Sequence, residues 1–178
     1  MAVLNPFGFR PVRHYTGGEI RTQGFERGIA DGYTTPIYMG QPVKWSGGYL
    51  VPAAAGDTNI AGIFSGCQYE DPGRDHSVQF SPFFPGSASA KKVVAHVHTD
   101  PYIIYQVQTS TADVTARGQY ADFAGSGGSP ITGDAAITLG AAGASKANFL
   151  IIDRFDIPEN DWGANVIVEV IFAEHLAK

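Results

Sequence analysis

Short apolar runs, broken every few positions by glycine, proline or a polar pair, follow one another along this chain. Nowhere does an apolar stripe recur at the roughly 3.6-residue spacing of a long helix. Residues 164–172 alternate cleanly: Val166, Val168, Val170 and Phe172 share one face of a strand, and Ile167, Glu169 and Ile171 the other, with Glu169 marking the wetter side. Within 148–155, Phe149-Leu150-Ile151-Ile152 is apolar on both faces, which predicts a central strand or one at an interface. Residues 91–98 and 102–108, around Thr99-Asp100-Pro101, predict a hairpin. Val93, Ala95 and Val97 face inward with Ile103, Tyr105 and Val107, while His96, His98, Gln106 and Gln108 face outward. Residues 42–45 and 49–51 predict a second hairpin across Ser46-Gly47-Gly48, because glycine supplies the positive φ of a tight turn. Gly62 and Gly66 inside the run 60–69 predict a bend or bulge. Further strands are expected over 20–29, 35–39 and 131–139, with a short helical turn near 112–117. The pattern is that of an all-β chain.

Size and charge narrow this reading. At 178 residues the chain fits a single domain, long enough to bury roughly 70% of its unfolded surface. Cys67 is the one cysteine, so no intramolecular disulfide or cysteine-based zinc cluster can form, and Cys67 reads as a small buried hydrophobe in a protein made in a reducing compartment. Pro6, Gly8, Arg10 and Pro11 interrupt any secretory apolar segment, and no run has the length of a membrane span. A formal charge of −5 with 12 Lys and Arg argues against a protein that grips a nucleic-acid backbone. The charge is polarised. Residues 1–27 carry net +2 through Arg10, Arg13, Arg21 and Arg27 against Glu19 and Glu26, and residues 153–178 carry net −4, a polarity able to orient head-to-tail contacts between copies.

The opening, Asn5-Pro6-Phe7-Gly8-Phe9-Arg10-Pro11-Val12-Arg13-His14-Tyr15, reads as an extended arm. Pro6 and Pro11 disfavour a helix, and Phe7, Phe9 and Tyr15 share one parity of an extended chain, interleaved with Arg10, Arg13 and His14. The expectation is an arm over residues 1–30 and a single β-rich body over 31–178. In it, Phe7, Phe9 and Tyr15 bury against a neighbouring subunit while Arg10 and Arg13 find carboxylates there. The competing reading is an edge strand of the chain's own domain.

Catalytic patterns are thin. His96-Val97-His98-Thr99-Asp100 has the H-x-H-x-D form found after a strand in metal-dependent hydrolases of the metallo-β-lactamase type, and alternate positions put both imidazoles on one face. Pro101 stands where that motif carries a further histidine, and the bland reading is a polar strand face ending in an Asp-Pro turn. Gly125-Ser126-Gly127-Gly128-Ser129-Pro130 and the stretch 140–146 lack the Lys-Ser/Thr pair and the spacing of a phosphate loop. There is no G-x-S-x-G elbow, and the carboxylates Asp71, Asp75, Glu159 and Asp161 show no paired spacing. Trp45 and Trp162 flank turns and are large enough to stack a sugar, although such residues are more often core or interface. No cofactor, metal, membrane, nucleic acid or small-molecule substrate is expected, and no enzymatic activity.

Taken in order, several segments resemble the decoration, or cement, proteins of tailed-bacteriophage heads. Pro6-Phe7-Gly8-Phe9-Arg10-Pro11-Val12-Arg13 is similar to that family's start, Ile37-Tyr38-Met39-Gly40-Gln41-Pro42-Val43-Lys44 to its early turn, and Ile60-Ala61-Gly62-Ile63-Phe64-Ser65-Gly66 to the next glycine-marked strand. Phe149-Leu150-Ile151-Ile152-Asp153-Arg154 through Asn160-Asp161-Trp162-Gly163-Ala164-Asn165-Val166 resembles its C-terminal hairpin. The resemblance implies a compact β-barrel or β-tulip-like body with an N-terminal arm. It also implies homotrimers at three-fold positions on the outer surface of the capsid, bound to the major capsid protein of a virion, after synthesis in the host cytoplasm. The stretch 68–90, with Pro82-Phe83-Phe84-Pro85, departs from the family and suggests an extra contact loop. Alternatives are another virion part, such as a tail or head-to-tail connector component, or a small metal-dependent hydrolase using His96, His98 and Asp100. A glycan-binding module using Trp45 or Trp162 is a third.

Overall fold

At the Ser46-Gly47-Gly48-Tyr49 corner both glycines take positive φ, 57° and 86°, and the flanking strands pair antiparallel with Trp45 opposite Leu50. This corner is one of the connections in a computed structural model of the chain, which describes residues 4–177. In chain order the strands are β1 (Arg10–His14), β2 (Gln23–Phe25), β3 (Pro42–Ser46), β4 (Tyr49–Pro52), β5 (Ile60–Asp71), β6 (Ser77–Ser81), β7 (Lys91–His98) and β8 (Ile103–Gln108). They continue as β9 (Thr111–Ala112), β10 (Tyr120–Ala121), β11 (Phe123–Ala124), β12 (Thr138–Leu139), β13 (Phe149–Arg154), β14 (Gly163–Ala164) and β15 (Ile167–Phe172). Helical structure among the described residues is limited to two single 3-10 turns, Pro72–Arg74 and Val114–Ala116, each started by an aspartate side chain, Asp71 or Asp113, that accepts from the backbone two residues on.

The first sheet has the order β1-β8-β15-β13-β10, and the second the order β2-β7-β5-β3-β4 with β6 added beside β5. The protein is therefore all-β. Each order has free ends, so the hydrogen bonding closes neither sheet into a barrel. β5 bends as its glycines foretell. Gly62 has φ 151°, and a Cβ there would stand 2.2 Å from the His98 carbonyl oxygen, so only glycine lets β7 lie this close.

Two apolar clusters hold the sheets. Ile103, Tyr105 and Val107 of β8, Val168, Val170 and Phe172 of β15 and Phe149 and Ile151 of β13 meet Ile60 and Ile63 of β5 in the first. Val93, Ala95 and Val97 of β7 join Ala61, Phe64 and Cys67 of β5, with Ile29, Ile37 and Phe84 from connecting segments, in the second. β5 thus feeds both clusters and is the hinge of the packing. Burial alone pushes the Cys67 thiol up to about 12, as expected of a small core residue.

Three expectations are corrected. First, β7 and β8 are not a hairpin: β7 pairs with β5 and β2, whereas β8 pairs with β1 and β15. The Thr99–Tyr102 connection crosses from one sheet to the other, and the two inward-facing sets enter different clusters. Second, the N-terminal segment is not an arm apart from a body that begins at residue 31. β1 is an edge strand of the first sheet, β2 an edge strand of the second, and Phe9 lies inside the first cluster at 1% exposure. Phe9 stacks on Phe149 at 4.3 Å and stands edge-on to Tyr105 at 6.4 Å, so burial within its own chain satisfies the ring. The first three residues of the expected arm lie outside the described residues. Third, Glu169 does not mark a wet face: it is buried, because the Arg13 side chain from β1 closes over it.

Two stability predictions follow from the seat of Phe9. Replacing Phe9 with Ala should lower unfolding stability by about 3–5 kcal/mol, read from urea denaturation, because a large aromatic leaves a filled core. Deleting residues 1–16 should abolish the cooperative transition, since β8 then loses one of its two partner strands along with Phe9.

Candidate functional site

Each residue of the opening motif has a defined place. Phe7 is half-buried with the Arg10 guanidinium 5.2 Å over its ring, and Arg10 Nη2 donates to Asp134 Oδ1 at 2.9 Å. Arg13 donates to both oxygens of Glu169, the Nη2 to Oε2 bond measuring 2.5 Å, and this pairing raises the guanidinium pKa above its ordinary value. His14 Nε2 meets Asp100 Oδ2 at 3.0 Å, and Tyr15 is 63% exposed with its backbone N–H on the Tyr102 carbonyl. Of the five residues expected at an interface, Phe9 is core, and Arg10 and Arg13 have found their carboxylates within the chain. Tyr15 is left on the surface, beside the half-exposed Tyr102. The charge polarity between the termini is spent in part inside the molecule, on the Arg13–Glu169 pair.

The H-x-H-x-D run comes apart in three directions. His98 is buried, its Nδ1 3.2 Å from the Arg21 carbonyl oxygen and its ring edge-on to Tyr105 at 6.5 Å. His96 is half-buried and faces an open concavity of about 380 Å³ lined also by Thr22, Cys67, Phe80 and Pro82. Asp100 turns to His14 and accepts from the Tyr102 N–H. Among the described residues no group of three His, Cys, Asp or Glu side chains could hold a metal ion. Trp45 packs edge-on against Phe25 at 5.1 Å, and Trp162 receives the Arg117 guanidinium at 5.5 Å beside a second open groove.

The stretch 68–90, expected as an extra contact loop, contains the β5–β6 hairpin, and an exposed apolar surface lies there. Within 68–90 it is not the phenylalanines of Pro82-Phe83-Phe84-Pro85 that stand in solvent: Pro82 is exposed, but Phe84 is fully buried, and Phe83 stacks on Tyr38 at 5.4 Å. The exposed aromatic is Phe80, at 78%, with Val78 at 52% two residues away on the same face of β6. Gln68 and Glu70 lie opposite them on β5, and Lys92 of β7 closes the patch through its ion pair with Glu70 at 2.7 Å. Ile131, at 93% exposure, tops the neighbouring 129–134 turn, whose Gly133 abuts Pro82. The available signal was the alternation Ser77-Val78-Gln79-Phe80-Ser81, which marks a strand with an apolar face but carries no indication that this face stays in water.

Two measurements probe these assignments. Arg13→Ala should cost about 2 kcal/mol by leaving the Glu169 carboxylate buried and unpaired, and adding Glu169→Gln should restore part of it in a double-mutant cycle. Burial pulls the His98 imidazole below its ordinary value of 6.5, so the unfolded chain binds the proton more readily. The corresponding stability is fully present above about pH 6.5 and is lost as pH falls through the lowered value; His98→Gln should flatten that part of the urea-stability profile.

Comparison with family models, with curated proteins and with solved structures finds no match to this chain.

Proposed function

We propose that this chain is a virion structural protein that binds the outside of an assembled phage capsid and stabilises it as a decoration protein, seated as trimers at three-fold positions on the major capsid protein. The reading is supported by the ordered resemblance of segments from Pro6 to Val166, and the observation that carries it is where the large apolar side chains lie. Phe80, Val78, Ile131 and Tyr15 stand in water on hairpins and turns, a placement suited to a protein partner and not to an enclosed ligand. In this proposal the two open sheets stand for the β-tulip-like body of that family.

The seat of Phe9 changes the mechanism. The opening segment stiffens the body instead of reaching out of it, and the contacts with the shell fall to exposed hairpins and turns. A ligand that binds the expanded lattice and not the immature or ruptured shell stabilises the expanded state by linkage. Many symmetric copies, each touching more than one capsid subunit, multiply a modest contact through avidity.

Native mass measurement followed by co-sedimentation tests this. The expected outcome is a trimeric mass and saturable binding to expanded empty heads of the encoding virus, with little binding to unexpanded heads. A protein that stays in the supernatant with expanded heads at all concentrations overturns the proposal, and a ring of another symmetry points to a connector or tail part.

A further inference from the structure

An edge strand presents unpaired backbone groups to any other extended chain, and most edges of this protein are guarded. β1 carries Pro11, a bulge between Pro11 and Arg13, and two arginines. β4 ends in Pro52, β2 is three residues long with Gly24 at its centre, and Tyr120 of β10 is bridged by Gly143 on its far side. β6 has none of these devices. It pairs with β5 alone, no other strand or isolated bridge among the described residues meets its second edge, and its five residues include no proline, glycine or charge.

We propose that β6 pairs with β6 of a second copy, antiparallel, about a two-fold axis through Gln79. The strand is a chemical palindrome about that residue: Ser77-Val78-Gln79-Phe80-Ser81. In this register Val78 lies opposite Phe80 of the other copy, Ser77 opposite Ser81, and Gln79 opposite itself, so each apolar side chain meets an apolar one and each polar side chain a polar one. The absence of charge means that self-pairing meets no like-charge repulsion, which a two-fold contact through charged residues would face at its axis. Val78 and Phe80, at 52% and 78% exposure, become buried cross-strand pairs. A foreign strand would not require this symmetry.

One strand pair covers less than the roughly 1,200 Å² at which stable complexes begin. The dimer is therefore weak in free solution and persists where copies are held side by side. That last step rests on the proposed function: on a capsid, the two-fold contact would join neighbouring trimers into a net.

The test is cysteine trapping of the full chain with copper-phenanthroline as oxidant. Gln79→Cys should form a disulfide dimer at least tenfold faster than Val78→Cys, whose partner lies off the axis, or Ser126→Cys on an exposed loop. Adding Phe80→Lys to Gln79→Cys should slow trapping at least tenfold with the urea transition unchanged. The native Cys67 is buried and does not compete. Equal rates for the three cysteine variants, or trapping indifferent to Phe80→Lys, overturn the proposal. So does a monomeric Gln79→Cys protein that takes up an extended apolar peptide, which assigns the edge to a foreign strand. Because trapping uses no capsid, loss of head binding with trapping intact counts against the decoration reading alone.

Discussion

The seat of Phe9 between Phe149 and Tyr105 decides how the rest of this protein is arranged. Phe172 continues the stack from Phe149 at 4.8 Å and stands edge-on to Tyr105, so four rings from β1's lead-in, β8, β13 and β15 form one aromatic block. Because the block draws on both ends of the chain, the first sheet is an assembly of distant segments and not a meander. The Gly8–Gly40 approach that brings Phe9 there leaves no room for a Cβ at either glycine, and the Phe9 N–H donates to the Gly40 carbonyl. Polar closure follows the apolar one: Arg13 covers Glu169, Arg10 reaches Asp134, and the Gln108 side chain accepts from the Asn5 N–H.

Once the opening segment is committed to the core, interaction falls to what the core does not need. Hairpins and turns carry the exposed Phe80, Val78, Ile131 and Tyr15, while the ends of the two larger sheets carry prolines, glycines, a bulge or charge that β6 lacks. Under the proposed function these exposed apolar side chains meet the shell, and under the proposed self-pairing β6 meets a second copy of the chain. Arginines that would draw a partner's carboxylates are already neutralised, so charge contributes to cohesion here more than to recognition.

Much of the β framework was legible in the residues. The Gly47-Gly48 hairpin, the glycine-marked bend of β5, the turn after Asp113 and the inward faces of β7, β8 and β15 follow from alternation and turn chemistry. What alternation does not encode is which sheet a strand joins. Strands with inward Val93-Ala95-Val97 and Ile103-Tyr105-Val107 look like partners because period two is the same in either sheet, yet Thr99–Tyr102 carries the chain across the core. For the same reason the parity of Phe7, Phe9 and Tyr15 indicated a common face without saying whose core would bury it. Buried amides were equally silent. Asn160 bonds the Phe155 and Ile167 carbonyls and the Ile167 N–H across one local turn, and Asn148 holds Gly56 and Asp57, a role that depends on loops meeting far along the chain.

The position of β15 in the middle of the first sheet has a consequence for biosynthesis. β8 needs it as a neighbour, and the ring beneath Phe9 belongs to the strand that pairs with it. A chain emerging from the ribosome can assemble much of the second sheet by residue 98, whereas the sheet that holds β1 is complete only once residue 172 has been made. Completion of the first sheet thus lags that of the second, and a product truncated before β13 is left with Phe9 unhoused and open to aggregation.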